Sequence, residues 1–304
     1  MKTDSLSDIL ITGAHDFMAP YLFREFQESF PDASVWMLGR GDLAGMKVDL
    51  AVETPVMPAA MECVVHVDGT DSGSFNASTA IDEVRSLARS LETAPPRSLV
   101  YISSAIVYGL EQGEGIDETT TLSPSLRDAL AKRDVEDFLT NWCKSHGVIL
   151  SILRPAMVIG TGMGGEMRAL VNSIYRGTYR HVTGNEARVS VIHAIDVARA
   201  ARMAAGKHGV WNITDGTDPL RRDLVEALAW RLRHKRVYSI SPKHARILAR
   251  IGNLLPFTGL SMASLQAQLS TLTFDGSSFC RLTGFSPVSV TNYLQTHDYN
   301  DSSL

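Results

Sequence analysis

The sequence predicts an α/β fold: a doubly wound parallel sheet with a smaller C-terminal α+β lobe. Three observations predict it. Residues 8–22, Asp-Ile-Leu-Ile-Thr-Gly-Ala-His-Asp-Phe-Met-Ala-Pro-Tyr-Leu, read as a short apolar strand, a tight turn and the start of a helix. Leu22, Phe26 and Phe30 then recur every four residues, the stripe of a buried helix face. Short apolar runs next alternate with helical stripes up to about residue 165, the spacing of crossovers between parallel strands. Beyond Glu166 the pattern loosens into shorter runs and more helix.

In chain order, the second strand is predicted at 34–38 and ends at Gly39-Arg40-Gly41. A third, Cys63–Val67, closes on Asp68-Gly69, and a helix follows with Ile81, Val84, Leu87 and Leu91, ended by Pro95-Pro96. A fourth strand at 99–102 runs into Ser103-Ser104-Ala-Ile-Val-Tyr108-Gly109. After a polar loop come a long helix at about 125–145, a strand at 148–153, Arg154-Pro155 and the glycine-rich 160–165. That loop is either a flap over a pocket or a turn-rich connection. The remainder predicts a helix around Met167–Ile174, a strand at 189–193, an alanine-rich helix headed by Asp196 and a strand at 210–213. Helices follow at about 219–233, 243–255 and 261–272, with Phe274, Phe279, Leu282 and Phe285 docking the tail. This is a Rossmann-type arrangement. A dinucleotide-binding core spans 1–165, and a substrate lobe at 166–304, partly interleaved with the core sheet, covers the carboxyl edge where open α/β sheets bind ligands.

Composition narrows the function. A net charge of −4 lacks the basic excess of nucleic-acid binders. The run from Arg231 to Arg236 is read as a solvated helix end. Cys63, Cys143 and Cys280 are too widely spaced for a zinc site or a disulfide framework and are expected as free thiols. The N-terminus has no apolar signal core, and no uninterrupted run has membrane-spanning length. The expectation is a cytoplasmic protein whose partner is a small-molecule substrate, with neither nucleic acid nor membrane.

Taken together, Ile11-Thr-Gly13, Ser103-Ser-Ala-Ile-Val-Tyr-Gly109, Asp117-Glu-Thr119, Lys132 with its following Val-Glu, Leu153-Arg-Pro155, His193-Ala-Ile-Asp-Val197, Phe274-Asp-Gly276 and Leu282-Thr-Gly-Phe285 resemble the extended short-chain dehydrogenase/reductases, the NAD-dependent epimerase/dehydratase family. The resemblance covers nearly the whole chain. It implies an NAD or NADP cofactor and hydride transfer. A strand-end Ser or Thr would polarise the substrate, a Tyr would carry the proton, and a Lys four residues later would hold the nicotinamide ribose and lower the tyrosine's pKa. Ser104 and Lys132 match two of these positions. It also implies a homodimer through helices near 77–93 and 125–145.

The sequence departs from that pattern at the site itself. The residue four before Lys132 is Asp128, which is ionised at neutral pH and cannot donate as a tyrosine does; an ion pair with Lys132 is expected, and Asp128 is a catalytic candidate only as a base, if buried and shifted. In the first turn Gly13 stands alone, with Asp16 and Ala19 where two further glycines are usual, and His15 offsets the Asp16 charge only if protonated. Asp68 adds a third carboxylate along the cofactor path. Arg40 either meets a ribose 2′-phosphate, favouring NADP, or is an ordinary turn arginine. Tyr108 either replaces the missing proton carrier or packs. Arg154 meets an anionic substrate or clamps backbone, and His193 is a second candidate substrate residue or orders the turn before the Asp196 helix. Ser104 with His66 and Asp68 invites a hydrolase reading, but no Gly-x-Ser-x-Gly elbow exists. The expectation is a divergent member performing a non-redox step on a small organic molecule. An NADP(H)-dependent enzyme with a substitute acid and a non-catalytic binding protein are the alternatives.

Overall fold

The computed structural model of the chain describes residues 6–40, 42, 44–57, 60–69, 76–233, 235–254 and 261–296. Gly41 of the predicted turn, His234 of the basic run and residue 255 of the predicted 243–255 helix lie outside them. The first half runs β1 (Asp8–Thr12), α1 (Ala19–Ser29), β2 (Ser34–Gly39), β3 (Met46–Lys47), β4 (Cys63–Val67), α2 (Ala80–Leu91), β5 (Ser98–Ile102), a 3-10 turn (Ala105–Tyr108), β6 (Gly113–Ile116), α3 (Arg127–His146) and β7 (Ile149–Pro155). The second half runs β8 (Met157–Ile159), α4 (Gly165–Tyr175), β9 (Arg180–Val182), β10 (Val191–His193), α5 (Ala194–Ala204), β11 (Gly209–Ile213), α6 (Arg221–Arg231), β12 (Tyr238–Ile240), α7 (Pro242–Leu254), α8 (Met262–Leu269), β13 (Leu272–Phe274), α9 (Ser277–Thr283) and α10 (Val290–Thr296).

A parallel seven-stranded sheet, ordered β11-β7-β5-β4-β1-β2-β3, forms the centre. Side chains alternate across it. Ile9, Ile11, Cys63 and Val65 pack with Leu22 and Phe26 of α1 and Val197 and Ala201 of α5; Leu10 and Val64 pack with Val84 and Leu87 of α2 and Leu139 of α3. Both faces are buried, so the strands read as continuous apolar runs. The order reverses between β1 and β4, and the carboxyl ends of those strands are where such sheets bind ligands.

The C-terminal portion interleaves with this sheet. β11 pairs with β7 in register Gly209↔Ser151 to Ile213↔Pro155, completing the edge, while α5 covers one face. The rest builds a lobe from α4, α6, α7, α8 and α10 with small two-stranded sheets β8/β10, β9/β12 and β6/β13. Two buried carboxylates hold the tail: Asp196 accepts from the Val288 N–H at 2.9 Å and Asp215 from the Val290 N–H at 2.8 Å. The helix predicted at 261–272 stops at Leu269 because residues 272–274 turn extended to pair with β6. The strand predicted at 189–193 begins at Val191, since Val189 bridges Leu272 instead.

Candidate functional site

At the end of β1 the backbone turns through Gly13 at φ +78°, and a Cβ there would stand 1.9 Å from the Val67 carbonyl oxygen. Only glycine fits this approach of the turn to β4. The following Asp16 is buried, and its Oδ1 accepts from the Met18 N–H at 2.7 Å while its own N–H donates to the Gly13 carbonyl at 2.8 Å. This locks the entry to α1. A helix N-terminus offers free N–H groups and a positive dipole end, the place where a pyrophosphate would sit. Here Asp16 braces the turn leading into the helix and adds a carboxylate beside it, while α1 itself carries no side-chain cap.

The end of β4 meets α3. Lys132 Nζ donates to Asp68 Oδ1 at 2.7 Å, and the Tyr101 hydroxyl donates to Asp68 Oδ2 at 2.7 Å. The lysine side chain is 2% exposed and the aspartate 0%. Burial and the adjacent carboxylate push the Tyr101 phenol well above its usual range. The expected Asp128–Lys132 ion pair is therefore replaced: Lys132 turns into the sheet edge towards Asp68, while Asp128 stays half-buried in the first turn of α3. His66 stacks on Tyr101 with ring centroids 5.6 Å apart and shares a 2.7 Å hydrogen bond through Nδ1 with the Thr12 hydroxyl. Its Nε2 is buried without a hydrogen-bond partner, and burial lowers its pKa to about 4, so the ring is neutral.

A second buried network lies between α3 and β7. Arg154 grips Glu136 with two nitrogens, Nε to Oε1 at 3.1 Å and Nη2 to Oε2 at 2.6 Å, and Ser103 Oγ donates to Oε1 at 2.6 Å. Arg154 Nη1 also donates to the Tyr108 hydroxyl at 3.2 Å, which donates to Asn212 Oδ1 at 2.8 Å. Tyr108 is fully buried against Phe274 at 5.7 Å. It packs, and burial raises its pKa. Ser104, one residue from Ser103, is half-buried and caps the 3-10 turn by accepting from the Ile106 N–H at 3.3 Å. His193 caps α5, its Nδ1 accepting from the Ile195 N–H at 3.2 Å, and its ring lies 4.3 Å from that of Tyr293.

Beside β2, Gly13, His15, Arg40, His66 and Glu83 line a cleft with about 10 Å³ of free space, enough for one water. Arg40 reaches Asp49 at 3.6 Å, Glu83 at 3.9 Å and His15 Nε2 at 3.5 Å. The glycine-rich 160–165 loop lies down on the α1 side. The Tyr21 hydroxyl accepts from the Thr161 N–H at 2.7 Å, and a Cβ on Gly162 would stand 3.2 Å from the Cβ of Phe17. The loop is a packed connection here.

The structure brings Gly13, His15 and Arg40 to one cleft, Ser104, Tyr108 and Arg154 to one strand end, and Lys132 to Asp68. The partners Thr12, Tyr101, Ser103, Glu136 and Asn212 carry no sequence motif of their own; Glu136 stands in the Val-Glu after Lys132, where its spacing of four from the lysine puts both on one helix face. Among the described residues the charged groups here meet partners within the chain: Asp16 accepts from the Met18 N–H, Lys132 pairs with Asp68, and Arg40 lies within 3.9 Å of two acids. These residues do not fit the cofactor. Among the described residues no group of three His, Cys, Asp or Glu is placed to hold a metal ion.

A model of the NAD dependent epimerase/dehydratase family matches residues 9–214. The uncharacterized protein y4nG of Sinorhizobium fredii is 24% identical over 208 residues, 66% of this chain and 52% of its own length, so the chain spans about half of that curated relative. UDP-N-acetylglucosamine 4-epimerase from Bacillus cereus superposes with a TM-score of 0.71 at 15% identity, covering 95% of this chain and 94% of the other. RMD from Pseudomonas aeruginosa complexed with NADPH gives 0.71 at 17% identity, with 95% of both chains covered. UDP-glucose 4-epimerase from Thermus thermophilus, complexed with NAD, gives 0.70 at 16%, covering 95% and 96%. At these identities the likeness is one of fold.

Proposed function

From the premise that the chain belongs to the NAD dependent epimerase/dehydratase family, we propose that it handles a small organic molecule without the family's tyrosine-dependent hydride transfer, by a non-redox step. The observation that carries this reading is the buried Lys132–Asp68–Tyr101 cluster. A lysine held 2.7 Å from a carboxylate inside the protein is not available to a nicotinamide ribose, and the residue four before it is Asp128. The structures solved with NADPH and NAD share this fold, and the buried carboxylates that this chain adds at Asp16 and Asp68 put negative charge along the path of such a polyanion, which supports a step that does without it.

For an isomerisation or elimination the chain must move a proton and steady the charge that develops. Asp128 and Ser104, both half-buried near the sheet's carboxyl edge, are the groups left for this: the carboxylate as base and the hydroxyl as donor. A second reading, a non-catalytic binding protein, draws on a different observation. Tyr101, Ser103, Tyr108, Lys132 and Arg154 all direct their polar atoms inward.

The test is a titration with NADH and NADPH, followed by nicotinamide fluorescence and thermal unfolding. A ligand at 100 times its Kd stabilises by about 2.7 kcal/mol, a shift of several degrees for a chain this size. We expect no shift and no fluorescence change; tight binding with hydride turnover would sink the proposal. Nucleotide sugars incubated without cofactor and followed by NMR then separate the readings. Conversion lost in Ser104→Ala and Asp128→Asn supports the non-redox step, and no conversion of any sugar supports the binding protein.

A further inference from the structure

Helix α7 sits the wrong way round for a surface helix. It buries two alanines, Ala245 and Ala249, against Val182, Ile240 and Leu265. At 100° per residue, Ile247 and Ile251 project from the opposite side and Leu248 beside them. They are 55%, 41% and 37% exposed. Surface helices ordinarily turn such a stripe inward, so a helix that shows its isoleucines to solvent is built to meet something apolar.

The charge around it is one-sided. From residue 227 to 274 the sequence has no Asp or Glu, in a chain whose acids outnumber its bases by 33 to 29 over its whole length. Lys243, Arg246 and Arg250 are exposed on α7 itself, and Arg233, Lys235 and Arg236 are exposed on the segment leading into β12. The elements packed on α7, namely β9, β12 and α8, contain no acid either.

We propose that α7 is a docking surface for an anionic lipid bilayer, on which the protein rests peripherally. An exposed apolar stripe flanked by cations is the pattern of a helix lying in the plane of a membrane interface, its side chains entering the headgroup region and its lysines and arginines meeting lipid phosphates and carboxylates. A second copy of the chain is disfavoured by its own matching positive charge, and a nucleic acid leaves the isoleucines in water. No described helix is long and apolar enough to cross a membrane, and peripheral docking needs none. The expectation of no membrane partner rested on spanning segments. This surface does not depend on the fate of the dinucleotide groove.

Flotation of the full chain with phosphatidylcholine vesicles, with and without phosphatidylserine, tests the proposal. The wild-type chain is expected to float with the anionic vesicles, less so as salt rises, and to stay behind with neutral ones. Arg246→Ser/Arg250→Ser is expected to weaken binding about thirtyfold, from two lost charges. Ile247→Ser/Ile251→Ser is expected to weaken it at least tenfold, from lost apolar burial. All four side chains are exposed, so both variants should melt like the wild type. Failure of the wild type to float, or flotation unchanged in either variant, would overturn the proposal. So would duplex DNA binding or self-association that the isoleucine pair abolishes in place of lipid binding.

Discussion

Replacing Lys132 by Met probes the central ion pair. The ammonium lies 2.7 Å from Asp68 with both side chains out of solvent, 2% and 0% exposed. Removing one partner leaves the other charge buried and uncompensated, which costs about 3–5 kcal/mol. Asp68→Leu strands the lysine at a similar cost and also leaves the Tyr101 hydroxyl without its 2.7 Å acceptor, about 1–3 kcal/mol more. The triple change Lys132→Met/Asp68→Leu/Tyr101→Phe removes the ion pair and the hydroxyl that donates to it together, so it should return to within about 2 kcal/mol of the wild type. Urea unfolding followed by circular dichroism, extrapolated linearly to water, measures all three. The singles would use up a third or more of a typical total stability, so the effect is large. A Lys132→Met loss below about 1 kcal/mol would refute the reasoning, because it would mean the lysine is reachable by solvent and free to hold a ribose.

Three further outcomes follow from the same geometry. Gly13→Ala places a Cβ 1.9 Å from the Val67 carbonyl at φ +78°, so β1 and β4 must separate; a loss of more than about 2 kcal/mol is expected in thermal or urea unfolding. His66 has a folded pKa of about 4 against an ordinary 6.5, so the unfolded chain binds more protons between these values. Its contribution is fully present above about pH 6.5 and is lost as pH falls towards 4, by up to about 3 kcal/mol; unfolding measured across that window should show a steeper slope in the wild type than in His66→Phe. Arg154→Met leaves Glu136 buried without its bidentate partner and should cost about 3–5 kcal/mol in urea, with Arg154→Met/Glu136→Leu recovering much of it.

Much of the fold was legible because its signals are local. The apolar runs of β1, β4, β5 and β7 are continuous since both faces of the sheet are covered, and the stripes of α1 and α2 recur at helical spacing. Short strands such as β6, β9, β12 and β13 escaped, since three or four residues carry no period and owe their extension to partners far along the chain. At the site, the three aspartates were visible as misplaced charge, but their separate fates were not. Spacing alone pairs Lys132 with Asp128; packing pairs it with Asp68, 64 residues away.

By itself, then, the sequence determined the doubly wound sheet, the glycine needed after β1, the lost tyrosine and the excess of carboxylate along the cofactor path. Only the tertiary structure decided what those carboxylates do. Asp16 braces the turn before α1 through the Met18 N–H and Asp68 neutralises Lys132, because burial makes an unpaired charge so costly that each one takes a donor the fold brings to it. The outward isoleucines of α7 were decided there too: sequence period reports that a helix is amphipathic, and only packing says which face points in.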